Sequence, residues 1–165
     1  MRKTKTTIIR ADGEGGTQLP PLEDARVKAD AMLRAAMECC HQHDRYARLV
    51  ERPALEAEHR AADEMCIVVT KALAQMAELY CEAANKLGGN GKPDDEWWHR
   101  ANALWHACRE FGRRQTCCER ASRRPGDRTA DTLGDLVLQY DLEASALLAL
   151  RQAADAYRKA RPEAA

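Results

Sequence analysis

Large aromatic side chains are scarce in this chain, which has one Phe, four Tyr and three Trp among 165 residues. β-branched residues are also few and there are only nine Gly, so the material for a sheet protein is missing. A core built from Ala, Leu and Met suits helices instead. No stretch approaches the roughly 18 apolar residues that a membrane span needs. The basic N-terminus lacks the apolar run of a secretory signal. A cytoplasmic protein without membrane contact is therefore expected. Neither sign of charge is in excess, with 26 Lys and Arg against 26 Asp and Glu. Overall charge thus neither favours nor excludes nucleic acid, and its distribution has to decide.

Enzyme signatures are missing as well. No Cys-x-x-Cys occurs, the seven cysteines are odd in number, and Cys39–Cys40 and Cys117–Cys118 are adjacent pairs. None of this suits a secreted disulfide framework, so reduced thiols are expected. Gly88 to Lys92 is only superficially like a phosphate loop. It follows a helical stretch, and Pro93 stands where Ser or Thr would bind magnesium. There is no Gly-x-Ser-x-Gly elbow and no dinucleotide fingerprint. Nothing activates one thiol over the others, so no catalytic residue and no cofactor is assigned.

What the chain does have is long helical periodicity. Residues 1–20 carry Arg2, Lys3, Lys5 and Arg10 and then a Gly-rich run, the composition of a flexible basic tail. A strand at Thr6–Ile9 would have no second run to pair with. Pro20-Pro21 opens helix one, which should run to about Val50 with Leu22, Ala25, Ala29, Met32, Ala36, Cys39 or Cys40, His43, Tyr46 and Val50 inward. Arg52-Pro53 breaks it. Helix two then places Leu55, Ala62, Met65, Val69, Ala72, Met76, Leu79, Ala83 and Leu87 on one stripe, and Gly88 can supply its left-handed cap. Asp94 or Asp95 caps helix three, with Trp97, Ala101, Leu104, Cys108, Phe111, Gln115 and Cys118 inward. Helix four spans about Thr129 to Lys159, with Leu133, Leu136, Val137, Tyr140, Ala144, Leu147, Leu150 and Ala154 on its main face. Four long helices with short connections predict an all-α, antiparallel up-down-up-down four-helix bundle over residues 21–165. A second stripe on helix four, Leu138, Leu142, Ala146, Ala149 and Ala153, is a candidate homo-oligomer contact.

Residues 94–124 concentrate all three tryptophans, three cysteines and seven arginines. At about 100° per residue, Arg109, Arg113, Arg120, Arg123 and Arg124 share one side of helix three, with Trp98 and Trp105 along its border. Clustered guanidinium groups hold phosphates and nearby aromatic faces stack on unpaired bases. The expectation is a non-enzymatic binding or assembly subunit that meets nucleic acid or a nucleoprotein partner there, the simplest rival being a solvated, internally paired face. A second reading is a zinc or copper site from Cys40, His43, Cys66 and Cys118, which an up-down course would bring to similar heights. Buried cysteine in a helical core is the plainer explanation of those thiols. A third reading is a protein–protein adaptor. Glu56–His59 and Glu96–His99 have di-iron spacing, but they open helices that start at opposite ends of such a bundle.

Overall fold

A computed structural model describes residues 19–51, 55–88, 92–122 and 130–161. Every regular element among them is a helix: α1 (Pro21–Val50), α2 (Glu56–Lys86), α3 (Glu96–Ser122) and α4 (Ala130–Ala160). The four-helix all-α expectation therefore holds. No helix among the described residues is long and apolar enough to cross a membrane. The Thr6–Ile9 segment, and nearly all of the tail expected over residues 1–20, lie outside the described residues.

Local chemistry sets the helix ends. Pro21 occupies the first turn of α1, where its missing N–H costs nothing. Glu23 and Asp24 follow in the same turn, and the Asp24 N–H donates to the Pro20 carbonyl at 2.9 Å. α2 ends on Gly88, whose φ of +65° is the left-handed conformation that glycine adopts without strain. The Gly88 N–H donates back to the Asn85 carbonyl at 3.4 Å. At the start of α3 the Asp95 carbonyl accepts from the N–H groups of Trp98 and His99, and the Asp94 carboxylate bonds the His99 ring at 2.9 Å.

α1 packs most extensively on α2, and α3 on α4, with smaller contacts joining the two pairs. The inward face of α3 follows the expected spacing and so does that of α1 as far as Cys40, beyond which His43 and Tyr46 are half-buried and Val50 is exposed at the helix end. Ala25, Ala29, Met32, Ala36, Cys39 and Cys40 are buried on α1, and all seven inward residues expected on α3 are buried. α2 differs in phase. Its buried set is Cys66, Val69, Thr70, Leu73, Ala77, Tyr80, Ala83 and Ala84, whereas Met65 and Leu79 are exposed and Leu55 more so. The stripe is turned by about one residue because the bulk of Leu73 and Tyr80 fills the space against α1 and α3. α4 also differs. Ala146, Leu150, Ala154 and Tyr157 are buried, while Leu133, Val137, Leu138 and Tyr140 are exposed. Ala146, assigned above to an outer stripe, belongs to the core, and the exposed apolar residues lie in the first three turns of α4.

Two polar links mark one level of the fold. The Tyr80 hydroxyl donates to Asn102 Oδ1 at 3.0 Å, joining α2 to α3. The Tyr157 hydroxyl donates to Asp30 Oδ1 at 3.0 Å, joining α4 to α1, and Arg161 reaches the other oxygen of Asp30. About twenty ångströms further along α1, the Arg151 guanidinium donates to Asp44 at 2.6 Å.

The phase of α2 is open to a paired measurement by urea unfolding. Leu73→Ala empties a fully buried site and is expected to cost about 2–5 kcal/mol, whereas Leu79→Ala is expected to cost less than about 1 kcal/mol. Equal losses would show that the helix is turned the other way.

Candidate functional site

The outward face of α3 is built from residues whose backbones are held by the buried Trp97–Cys118 stripe opposite. Arg109, Arg113 and Arg120 are exposed on it. Arg113 donates twice to Glu110, from Nε at 2.9 Å and Nη2 at 2.8 Å, and Arg114 Nε donates to the same carboxylate at 2.6 Å. These bonds, Arg113's first, hold the Glu110 carboxyl down at about 2. The Arg109 guanidinium lies 5.1 Å from the centre of the Trp105 ring, a cation–π contact that occupies the aromatic face. Arg120 forms no ion pair among the described residues. Between α2 and α3 runs a groove of about 350 Å³ lined by Lys71, Arg109 and Arg113 and by the carboxylates Glu78 and Glu119, with Ala74 and Gly112 beside them. Arg123 and Arg124 lie outside the described residues.

The assignment of Trp98 to this face needs correction. Its side chain is only 5% exposed, packed at 5.7 Å against Trp97 and 6.2 Å against Tyr80. Two adjacent tryptophans point about 100° apart on a helix, and the core at the start of α3 is wide enough to take both. Trp98 therefore cannot stack on a base, and Trp105 is half-buried under its own arginine.

The cysteine and histidine candidates share a neighbourhood without forming a ligand set. His43, Cys66 and Cys118 line one cleft, and Cys40 is not among its lining residues. His43 Nε2 faces Thr70 Oγ1 at 3.5 Å, Cys118 bonds Glu143, and Cys40 turns to Arg151. Among the described residues no three His, Cys, Asp or Glu side chains are placed to hold a metal ion. Burial pushes the Cys39 thiol up to about 12 and Cys66 up to about 11. Burial and the Glu143 bond push Cys118 up to about 12. With no counter-charge beside them, these thiols hold their protons at pH 7. Burial also lowers the His43 pKa, against the raising effect of Asp44 and Asp63. The Glu-x-x-His runs are engaged locally: Glu56 pairs with Arg60, Glu96 with Arg100, and His99 with Asp94.

That cleft, about 550 Å³ in volume, is the feature that sequence reasoning missed. It opens between all four helices and is lined by Asp63, Glu119, Asp141 and Glu143, with Tyr46 and Tyr140. Glu143 is half-buried, and its pKa is raised, first by burial and then by the nearby negative charges of Glu119 and Asp63, against the lowering effect of the Cys118 bond. A signal was present: Glu143 sits within the apolar side of α4, between Tyr140 and Ala144-Leu147. Gln115 stands at the wall shared by the cleft and the α2–α3 groove. Comparison with models of protein families, with curated proteins and with solved structures gives no match.

The raised pKa of Glu143 gives a pH dependence of stability. The folded state holds this proton more tightly than the unfolded chain does. Its contribution is thus complete below about 4.5, the ordinary value, and falls as pH rises through the folded pKa. Glu110 acts in the opposite sense and only below that window, losing its contribution as pH falls toward about 2. Glu143→Gln is expected to flatten the decline of the thermal midpoint between pH 4.5 and neutrality and to raise it at pH 7. Superimposable profiles for the two proteins would contradict this placement of the carboxyl.

Proposed function

We propose that this protein is a non-enzymatic binding and assembly subunit whose outward α3 face contacts nucleic acid or a nucleoprotein partner. The observation that carries the reading is the row of exposed cations, Arg109, Arg113 and Arg120, with Lys71 across the adjoining groove. The Arg113–Glu110 pair is exposed on both sides. Such a pair contributes about 0–1 kcal/mol, so a phosphate can displace the carboxylate at little cost. With Trp98 buried and Trp105 covered, the contact rests on phosphates rather than on stacking, and it is independent of base sequence. The free cysteines suit a reducing, cytoplasmic setting. An antiparallel up-down-up-down course belongs to the same reading. It is supported by the two levels at which the helices meet, Asp30 with Tyr157 and Tyr80 with Asn102 at one, His43 with Cys66 and Cys118 at the other.

One observation favours a second surface. Leu133, Val137, Leu138 and Tyr140 are exposed together on the first turns of α4, which suits self-association with another copy more than the stripe through Ala146 did. Light scattering tests it: Val137→Glu with Leu138→Glu is expected to leave only monomer, and an unchanged mass would remove the reading.

The main proposal is tested by fluorescence anisotropy with a labelled 20-nucleotide RNA and a DNA duplex across a salt series. Affinity is expected to fall linearly on logarithmic axes. The triple variant Arg109→Glu, Arg113→Glu, Arg120→Glu should bind at least about tenfold more weakly, with a slope smaller by about 2–3. Equal binding by the triple variant, or none by the wild type at low salt, sinks the proposal.

A further inference from the structure

The acidic cleft carries an inference of its own, separate from the α3 face. Asp63 comes from α2, Glu119 from α3, and Asp141 and Glu143 from α4, and no Lys or Arg is among the residues lining it. Among the described residues, Asp63, Glu119, Asp141 and Glu143 form no ion pair. Like charges brought together without a counter-charge repel one another, and a bound cation relieves that repulsion.

A second and independent feature is Gln115. Its side chain lines the cleft and is only 8% exposed, yet it makes no hydrogen bond among the described residues. The amide offers a carbonyl acceptor beside the carboxylates and the Tyr46 and Tyr140 hydroxyls. Ile67, Ala144 and Leu147 add apolar wall. The lining thus combines acceptors in excess, aromatic rings and aliphatic surface, the complement of an ammonium group on a hydrocarbon chain. Since no three of its side chains are placed as metal ligands, a bare divalent ion is the poorer fit.

We propose that the cleft between the four helices binds an aliphatic polyamine, its ammonium groups held by Asp63, Glu119 and Glu143 and by the amide of Gln115, its methylene chain against Ile67 and Leu147. The ligand must carry N–H donors, because apart from the Cys118 thiol on Glu143 the carboxylates around it have no donor among the described residues. A methylated cation of equal charge is therefore a weak substitute.

Calorimetric titration of the full chain with spermidine at low salt tests this. Saturable binding at one site per chain is expected. Glu143→Gln and Asp63→Asn should each weaken it by about tenfold or more, the scale of a lost charge-assisted hydrogen bond. Asp63 is exposed, so its variant keeps the fold even where Glu143→Gln perturbs it. Gln115→Leu should weaken binding. Glu82→Gln, which removes an exposed charge away from the cleft, should leave binding unchanged. Tetramethylammonium and magnesium should not compete at the same concentration. The proposal is overturned by an absence of saturation, by equal losses in Glu82→Gln, by full competition from magnesium, or by tight binding that survives both Asp63→Asn and Gln115→Leu.

Discussion

Alanine sets how closely these helices approach, and the rest of the structure follows from where it is placed. Ala25, Ala29 and Ala36 on α1 and Ala77 and Ala83 on α2 are almost fully buried, so their backbones can come close enough for Met32, Leu73 and Tyr80 to fill the remaining space. Ala101 and Ala154 do the same for α3 and α4, around Leu104, Leu150 and Tyr157. Small residues with a few large ones between them give dense packing at one level. Two polar tips there, the Tyr80 and Tyr157 hydroxyls, bond between helices, to Asn102 and Asp30, while the Trp97 indole N–H is buried without a partner among the described residues.

The other level cannot close in the same way. Glu143, Glu119 and Asp63 approach from different helices, and each would lose solvation if the walls met. The cleft stays open because the carboxylates need water or a counter-charge, and the Cys118 thiol satisfies only part of Glu143. The exposed start of α4, with Val137 and Tyr140 unsheltered, belongs to this same end. Stability and binding are thus separated along the helices, the packed level holding the fold and the charged level left to interact.

Much of the fold was legible because large residues at three-four spacing oppose charged ones on α3, and every inward residue expected there is buried. The phase of α2 was not. Alanine, leucine and methionine occupy two stripes about 100° apart on that helix, and only the neighbours choose between Met65–Leu79 and Leu73–Tyr80. α4 is apolar on most sides, so its sequence does not distinguish Ala146, which is buried, from Val137, which is not. The arginine face was readable as a row, but its pairing with Glu110 and the covering of Trp105 by Arg109 depend on rotamers. The cleft was the least legible feature. An acid on a long helix reads as a solvated residue, and Glu143 becomes unusual only when Asp63 and Glu119 arrive from elsewhere in the chain.

The division between a closed level and an open one is the claim on which the rest stands, and native-state hydrogen exchange tests it most directly. Amides of residues 73–84, 97–111 and 146–157 should exchange only through global unfolding. Those of 132–141 and 56–65 should exchange at least about a hundredfold faster, the difference of some 2.7 kcal/mol that local opening allows. Uniform protection along α2 and α4 would contradict the account, because it would mean that the charged end is packed as tightly as the alanine-rich one.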